Sequence, residues 1–192
     1  MSVNPEFSRF IQSWLQKAEG IELTDSNAYF DRFFTLYVVY NRLYAEATFI
    51  LARGGHPDLS RRTSFPDKDA ATRYISQFLG SGSLLEALDA DPLAKQSMLA
   101  VETLIERNDF SIKLHMVTGN RQWAKDQALL TALRSTERNV RATAILETIY
   151  AIRCNMFHGH KEFHPIQTEI LIPVIVIMEK VIMLLRHKIE YG

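Results

Sequence analysis

An arginine and a histidine near the end of one apolar segment are the residues in this chain best placed to do chemistry. The segment reads Arg153-Cys154-Asn155-Met156-Phe157-His158-Gly159-His160-Lys161. On a helical wheel advancing about 100° per residue, Arg153 falls on the apolar side, between the directions of Ile149 and Phe157. A guanidinium there must snorkel, pair with an acid such as Glu46, or bind an anion, because an unpaired buried charge costs on the order of several kcal/mol. His158 comes at the end of the same helix, where the dipole favours the charged imidazole, which suits a group that gives and takes a proton near neutral pH. Five steps along an ideal helix turn about 140°, so Arg153 and His158 do not share a face. They converge if the helix loosens before Gly159, or if a second subunit completes the site. Asn155 and His158, three apart, do share a face. His158, His160 and His164 offer a rival reading as a metal half-site, but Glu162 is the only near carboxylate and no familiar ligand spacing completes it.

Helices must position these groups, and their end signals are plain. Asn4-Pro5-Glu6 reads as an N-cap with proline at N1, opening a helix that stops near Gly20. Asp25 or Ser26 caps a long helix to about Ala52, ended by Arg53-Gly54-Gly55. His56 to Pro66 is a loop carrying Arg61-Arg62. Ser64 or Pro66 opens a helix ending near Gly80, Ser83 caps a short one, and Asp91-Pro92 opens another to about Arg107. A weaker helix is expected around Phe110–Val117, then one over Gln122–Leu133. Ser135 or Thr136 caps the motif helix to about Phe157. His164-Pro165 opens the last helix, kinked or interrupted at Pro173. No stretch shows sustained two-residue alternation. The expected fold is all-α, an antiparallel helical bundle with inserted helices between the second core helix and the motif helix.

The 25–52 helix is apolar nearly all round, with Arg32, Thr35, Arg42, Glu46 and Arg53 as one narrow polar stripe, so it belongs in the middle of a bundle. Asn41 lies off that stripe among Phe34, Tyr37 and Tyr44. It reads either as a buried amide fixing helix register or as one that orients a functional His or Arg.

Composition narrows the classes. The chain has 192 residues, 47% of them apolar, which supports one domain with a real core and excludes a disordered linker. One cysteine excludes a disulfide framework and points to a reducing compartment. Lys+Arg and Asp+Glu are 22 each, which argues against nucleic-acid binding by bulk charge but leaves room for a local phosphate site. Arg134, Arg138 and Arg141 read as a basic stripe, or simply as a solvated face. The N-terminal residues show no signal peptide, and Ile170–Leu185 is short for a membrane span and carries Pro173, Glu179 and Lys180. No membrane association and a cytoplasmic address are expected. There is no glycine-rich phosphate loop and no nucleophile elbow.

Arg153 and His158 with four residues between them, and Arg153 and His160 with six, near the end of a penultimate helix and before one long apolar final helix, resemble the HEPN superfamily (higher eukaryote and prokaryote nucleotide-binding domains). The aromatic run Phe34-x-x-Tyr37-x-x-Tyr40-Asn41-x-x-Tyr44 is similar to the Asn-containing helix of many members. The resemblance covers about 25–55 and 136–190, leaving 56–135 as a helical insertion in a single domain of residues 1–192. It implies a metal-independent endoribonuclease without a cofactor, in which the 2′-hydroxyl attacks the adjacent phosphorus. His158 would transfer the proton, Arg153 would hold the scissile phosphate, and Asn155 and Asn41 would orient them. His160 or Lys161 would touch flanking phosphates. The family's site usually forms across a homodimer, in toxins or phage-defence factors often paired with a nucleotidyltransferase-type antitoxin. A very apolar final helix agrees with such a dimer. Active members usually carry Asn, Asp or His directly after the arginine, where this chain has Cys154. That departure keeps two other readings alongside: a non-catalytic HEPN-like domain binding a nucleotide, RNA or partner protein, and a plain helical interaction protein.

Overall fold

The computed structural model describes residues 4–60, 63–115, 117–157 and 165–192. Among them the fold is all-α. Helix α1 spans Pro5–Glu19 and α2 spans Ser26–Arg53. A short α3 (Asp67–Asp69) runs through a π-helical turn, Ala70–Tyr74, into α4 (Ile75–Leu79). Then come α5 (Ser81–Asp89), α6 (Pro92–Glu106), α7 (Trp123–Leu133), α8 (Arg138–Phe157) and α9 (Pro165–Tyr191). The caps act as their residue types dictate. Asn4 accepts from the Glu6 amide, Asp25 from Ala28, and Asp91 from Leu93 and Ala94. Between α4 and α5 the chain turns at Gly80, whose φ of 84° suits a residue without a Cβ.

Helix α9 packs along α2 and α6, and α1 covers another side of α2. The π-helical turn packs on both α2 and α8, and is thus wedged between them. Ala70 and Ala71 are buried at this wedge, where small side chains permit close approach. A π turn disturbs the regular pairing of backbone carbonyls, and the buried Tyr40 hydroxyl of α2 donates to the Ala71 carbonyl. The 67–133 helices share one contiguous core with α1, α2, α8 and α9.

Three expectations change. The helix expected over Phe110–Val117 does not form: residues 110–115 are irregular and are held by an isolated antiparallel bridge between Leu114 and Arg121. Asp126, 1% exposed on α7, accepts from the Ile112 amide at 3.0 Å, the Lys113 amide at 2.8 Å and the Ser111 hydroxyl. A side chain thus satisfies amides that a helix would otherwise pair. Helix α9 runs through Pro173 as one helix, so of the two outcomes expected there the interruption does not occur. Its apolar length is also largely covered by its own chain: Ile170, Leu171, Val174, Met178, Val181, Ile182 and Leu185 are buried, while Ile172 and Met183 face outward. An uncovered final helix therefore no longer argues for a dimer. No described helix is long and apolar enough to cross a membrane.

Asp126 is a buried carboxylate with three donors on it, and hydrogen bonds to charged groups are the costly ones to lose. Asp126→Ala is expected to destabilise the chain by about 3 kcal/mol, read as a lower urea midpoint with an unchanged slope.

Candidate functional site

Arg153 lies on the last turn and a half of α8, half-buried against the aromatic ladder of α2. In that ladder Tyr37, Tyr40 and Tyr44 follow the helical repeat, with ring centroids 5.6 Å and 5.5 Å apart and edge-on geometry. The Arg153 guanidinium carbon sits 5.5 Å from the Tyr37 ring centroid, within range of a cation–π attraction. Its charged partner is Asp67, at 3.9 Å from Nη1. The Cys154 sulfur is also 3.9 Å from Nη1. Glu46, the acid expected for this role, is taken by Arg42 at 3.4 Å and Arg53 at 3.0 Å.

Asp67 gathers more than the arginine. The Tyr44 hydroxyl donates to its Oδ1 at 2.5 Å, and the Tyr150 hydroxyl to its Oδ2 at 3.3 Å. One carboxylate at the start of α3 therefore ties α2 to α8. The phenols serve as donors, not bases. Burial pushes the Tyr37 hydroxyl well above the ordinary phenol range, with Arg153 only partly offsetting it. Burial, followed by the charges of Tyr37 and Asp67, does the same to Tyr44. Tyr150 is raised by burial and by its neighbours Cys154 and Asp67. Burial works against the charge on Arg153, but Cys154, Tyr37 and Asp67 outweigh it, and the guanidinium is held charged.

Beside this cluster lies a second one. Glu147, two turns back on α8, takes the Lys68 ammonium at 2.6 Å and the Lys113 ammonium at 2.8 Å on the same oxygen. Burial alone would raise the Glu147 carboxyl, yet the two lysines hold it below the usual carboxylate range.

The other residues singled out by sequence fall as follows. Asn155 does not reach the Arg153 cluster through its amide nitrogen. Nδ2 donates instead to the Ile112 carbonyl at 2.7 Å and pins the 110–115 segment to α8. Asn41 stands exposed on α2 and is not the buried amide that the wheel suggested: Tyr37 and Tyr44 are buried, while Asn41 lies on the side of Phe34 and Ala45, which are only half-covered. His158, His160 and Lys161 lie outside the described residues, as do His164 and the Arg61-Arg62 pair. Among the described residues no group of His, Cys, Asp and Glu could hold a metal ion. The Arg134, Arg138 and Arg141 stripe is neutralised: Arg134 pairs with Glu102 and Glu106, Arg138 with Glu86, and Arg141 with Asp89. Asp67, Lys68, Lys113 and Tyr150 were not singled out by sequence. Tyr150 had a local signal, three residues before Arg153 on a helix; Asp67 had none.

The described part of the site sets the Arg153 guanidinium against an aromatic face, with the Tyr44 and Tyr150 hydroxyls donated to Asp67. It contains no imidazole, so a proton-transfer group must come from elsewhere. Compared with known family models, curated proteins and solved structures, the chain matches none.

Two predictions follow from this geometry. Asp67→Ala strands two phenol hydroxyls and removes the carboxylate facing Arg153; a loss of about 2 kcal/mol is expected, against about 1 kcal/mol or less for Tyr44→Phe, both read by urea denaturation. Because the folded-state carboxyl of Glu147 is depressed, its contribution to stability is fully present above the unfolded-state value and is lost as pH falls through the folded one. Thermal unfolding of Glu147→Gln between about pH 5 and pH 2 should therefore fall less steeply with acidification than wild type.

Proposed function

We propose that this chain is a metal-independent endoribonuclease of the HEPN type, with Arg153 holding the scissile phosphate and His158 moving the proton. The observation that carries the reading is the placement of Arg153. A charged guanidinium is set half-buried in an aromatic cluster, within the last turns of the helix that leads directly into the segment bearing His158. Its contact with Asp67 at 3.9 Å is long beside the roughly 2.7–2.9 Å of a tight charge-assisted bond.

The chemistry needs little more. The 2′-hydroxyl attacks the adjacent phosphorus as a base takes its proton, the P–O5′ bond breaks, and the 5′-oxygen leaves with a proton from an acid. The products are a 2′,3′-cyclic phosphate and a free 5′-hydroxyl. Arg153 would stabilise the charge that builds on the non-bridging oxygens. The imidazole of His158 would serve the proton transfers, while His160 and Lys161 would contact flanking phosphates. A homodimer, a toxin or phage-defence role and a nucleotidyltransferase-type antitoxin belong to the same proposal through the family resemblance.

A second reading, a non-catalytic HEPN-like domain that binds RNA, a nucleotide or a partner protein, is favoured by two specific observations. Asn155 is spent on the Ile112 carbonyl, and Cys154 stands where active members carry a polar residue. Incubation of RNA in EDTA with wild type, Arg153→Ala and His158→Ala separates the readings. The nuclease reading expects cyclic-phosphate ends from wild type and a rate at least about a hundredfold lower in either variant. Binding without cleavage by wild type selects the second reading. Cleavage that survives both substitutions removes the assignment altogether.

A further inference from the structure

The Lys68–Glu147–Lys113 cluster serves no step of the proposed reaction, yet it is built with care. The peptide group that leads into Lys113 is held at both its ends: Asp126 accepts from the Lys113 amide at 2.8 Å, and Asn155 donates to the Ile112 carbonyl at 2.7 Å. That holds the Lys113 side chain, half-buried, on the surface of α8. Lys68 reaches the same carboxylate oxygen from α3, with its side chain 55% exposed. Two ammonium groups on one carboxylate leave a local excess of positive charge. Glu147, Tyr150 and Arg153 form one i, i+3, i+6 ridge on α8, whose members stand about 5–6 Å apart at Cβ. The half-buried Tyr150 thus lies between the lysine pair and Arg153, and the three cations face two carboxylates, Glu147 and Asp67.

We propose that Lys68 and Lys113 form a phosphate subsite for single-stranded RNA, flanking Arg153 along the α8 ridge, with Tyr150 between them as a surface on which a base can stack. The inference rests on the RNA reading above and adds the path of the strand. Two phosphate positions separated by an aromatic ring suit a flexible single strand, in which cations track the backbone and rings take bases regardless of sequence. Glu147 acts as the resident counter-charge: it holds the lysines in place when the site is empty and is displaced from one of them when a phosphate arrives. The exposed Lys68 is the one free to swing.

A purely structural ion-pair cluster makes a different prediction for Glu147, and that difference is the test. The probe is a fluorescein-labelled, 2′-O-methylated single strand of about twelve nucleotides, followed by anisotropy between about 50 and 200 mM salt. Lys68→Gln and Lys113→Gln should each weaken binding several-fold and lower the log–log salt slope by about 0.7. Glu147→Gln should tighten binding several-fold, even while its melting temperature drops. A duplex of the same sequence should bind more weakly than the single strand. If wild type and Glu147→Gln bind alike, and both lysine variants keep the wild-type slope while Arg153→Ala loses affinity, the subsite is wrong and the RNA reading stands. If wild type does not bind the strand at all, both fall. Lys68 is exposed enough that its variant will fold even if Glu147→Gln does not.

Discussion

The carboxylate of Asp67 is the tie on which the arrangement around Arg153 depends. Helices α2 and α8 do not pack closely on each other; the π-helical turn after Asp67 stands between them. Asp67 spans that gap by accepting from Tyr44 on one side and Tyr150 on the other, and by facing the Arg153 guanidinium. Each contact is individually modest, and Asp67 is half-exposed, so water screens part of its charge. Their convergence is what matters. With the phenols held protonated by burial, the carboxylate has committed donors on both oxygens, and the arginine meets it only at long range. The result is a cation held between an aromatic face and a carboxylate.

The same division recurs across the chain. The arginines on the α5–α8 surface are consumed locally: Arg134 lies between two glutamates, and Arg141 is matched by Asp89. The zero net charge of the sequence is therefore not spread evenly. It is cancelled pairwise on the α5–α8 surface, while a small excess survives where Lys68, Lys113 and Arg153 meet Glu147 and Asp67. A local excess of this size fits the one or two phosphate contacts proposed and not a broad nucleic-acid track.

Most helices were legible because their ends carry side chains that solve a local hydrogen-bonding problem. Asn4-Pro5, Asp25 and Asp91-Pro92 mark starts that the structure uses as such. The Phe110–Val117 error had a readable cause. Phe110, Ile112 and Leu114 recur every second residue, a short alternation that belongs to extended chain. Asn41 shows the limit of a wheel, which gives a direction but not what covers it. Arg153 was visible as a charge on an apolar arc, whereas its partner was not: Asp67 lies 83 residues from Tyr150, and no local pattern announces a contact of that separation. Asn155 reads from the sequence as an orienting group for the Arg–His pair, whereas the partner its amide nitrogen meets, the Ile112 carbonyl, belongs to a segment whose shape the sequence did not disclose.

The central claim is that Arg153 is held for a ligand and not for the fold. The most direct measurement takes one preparation of Arg153→Ala and records its thermal unfolding and its affinity for an uncleavable single-stranded oligoribonucleotide side by side. An arginine held for a ligand leaves the melting temperature within a few degrees (about 3 °C) of wild type and costs at least about tenfold in binding. A melting temperature lowered by roughly 10 °C or more, with affinity for the strand unchanged, would contradict the claim and make Arg153 a structural pin.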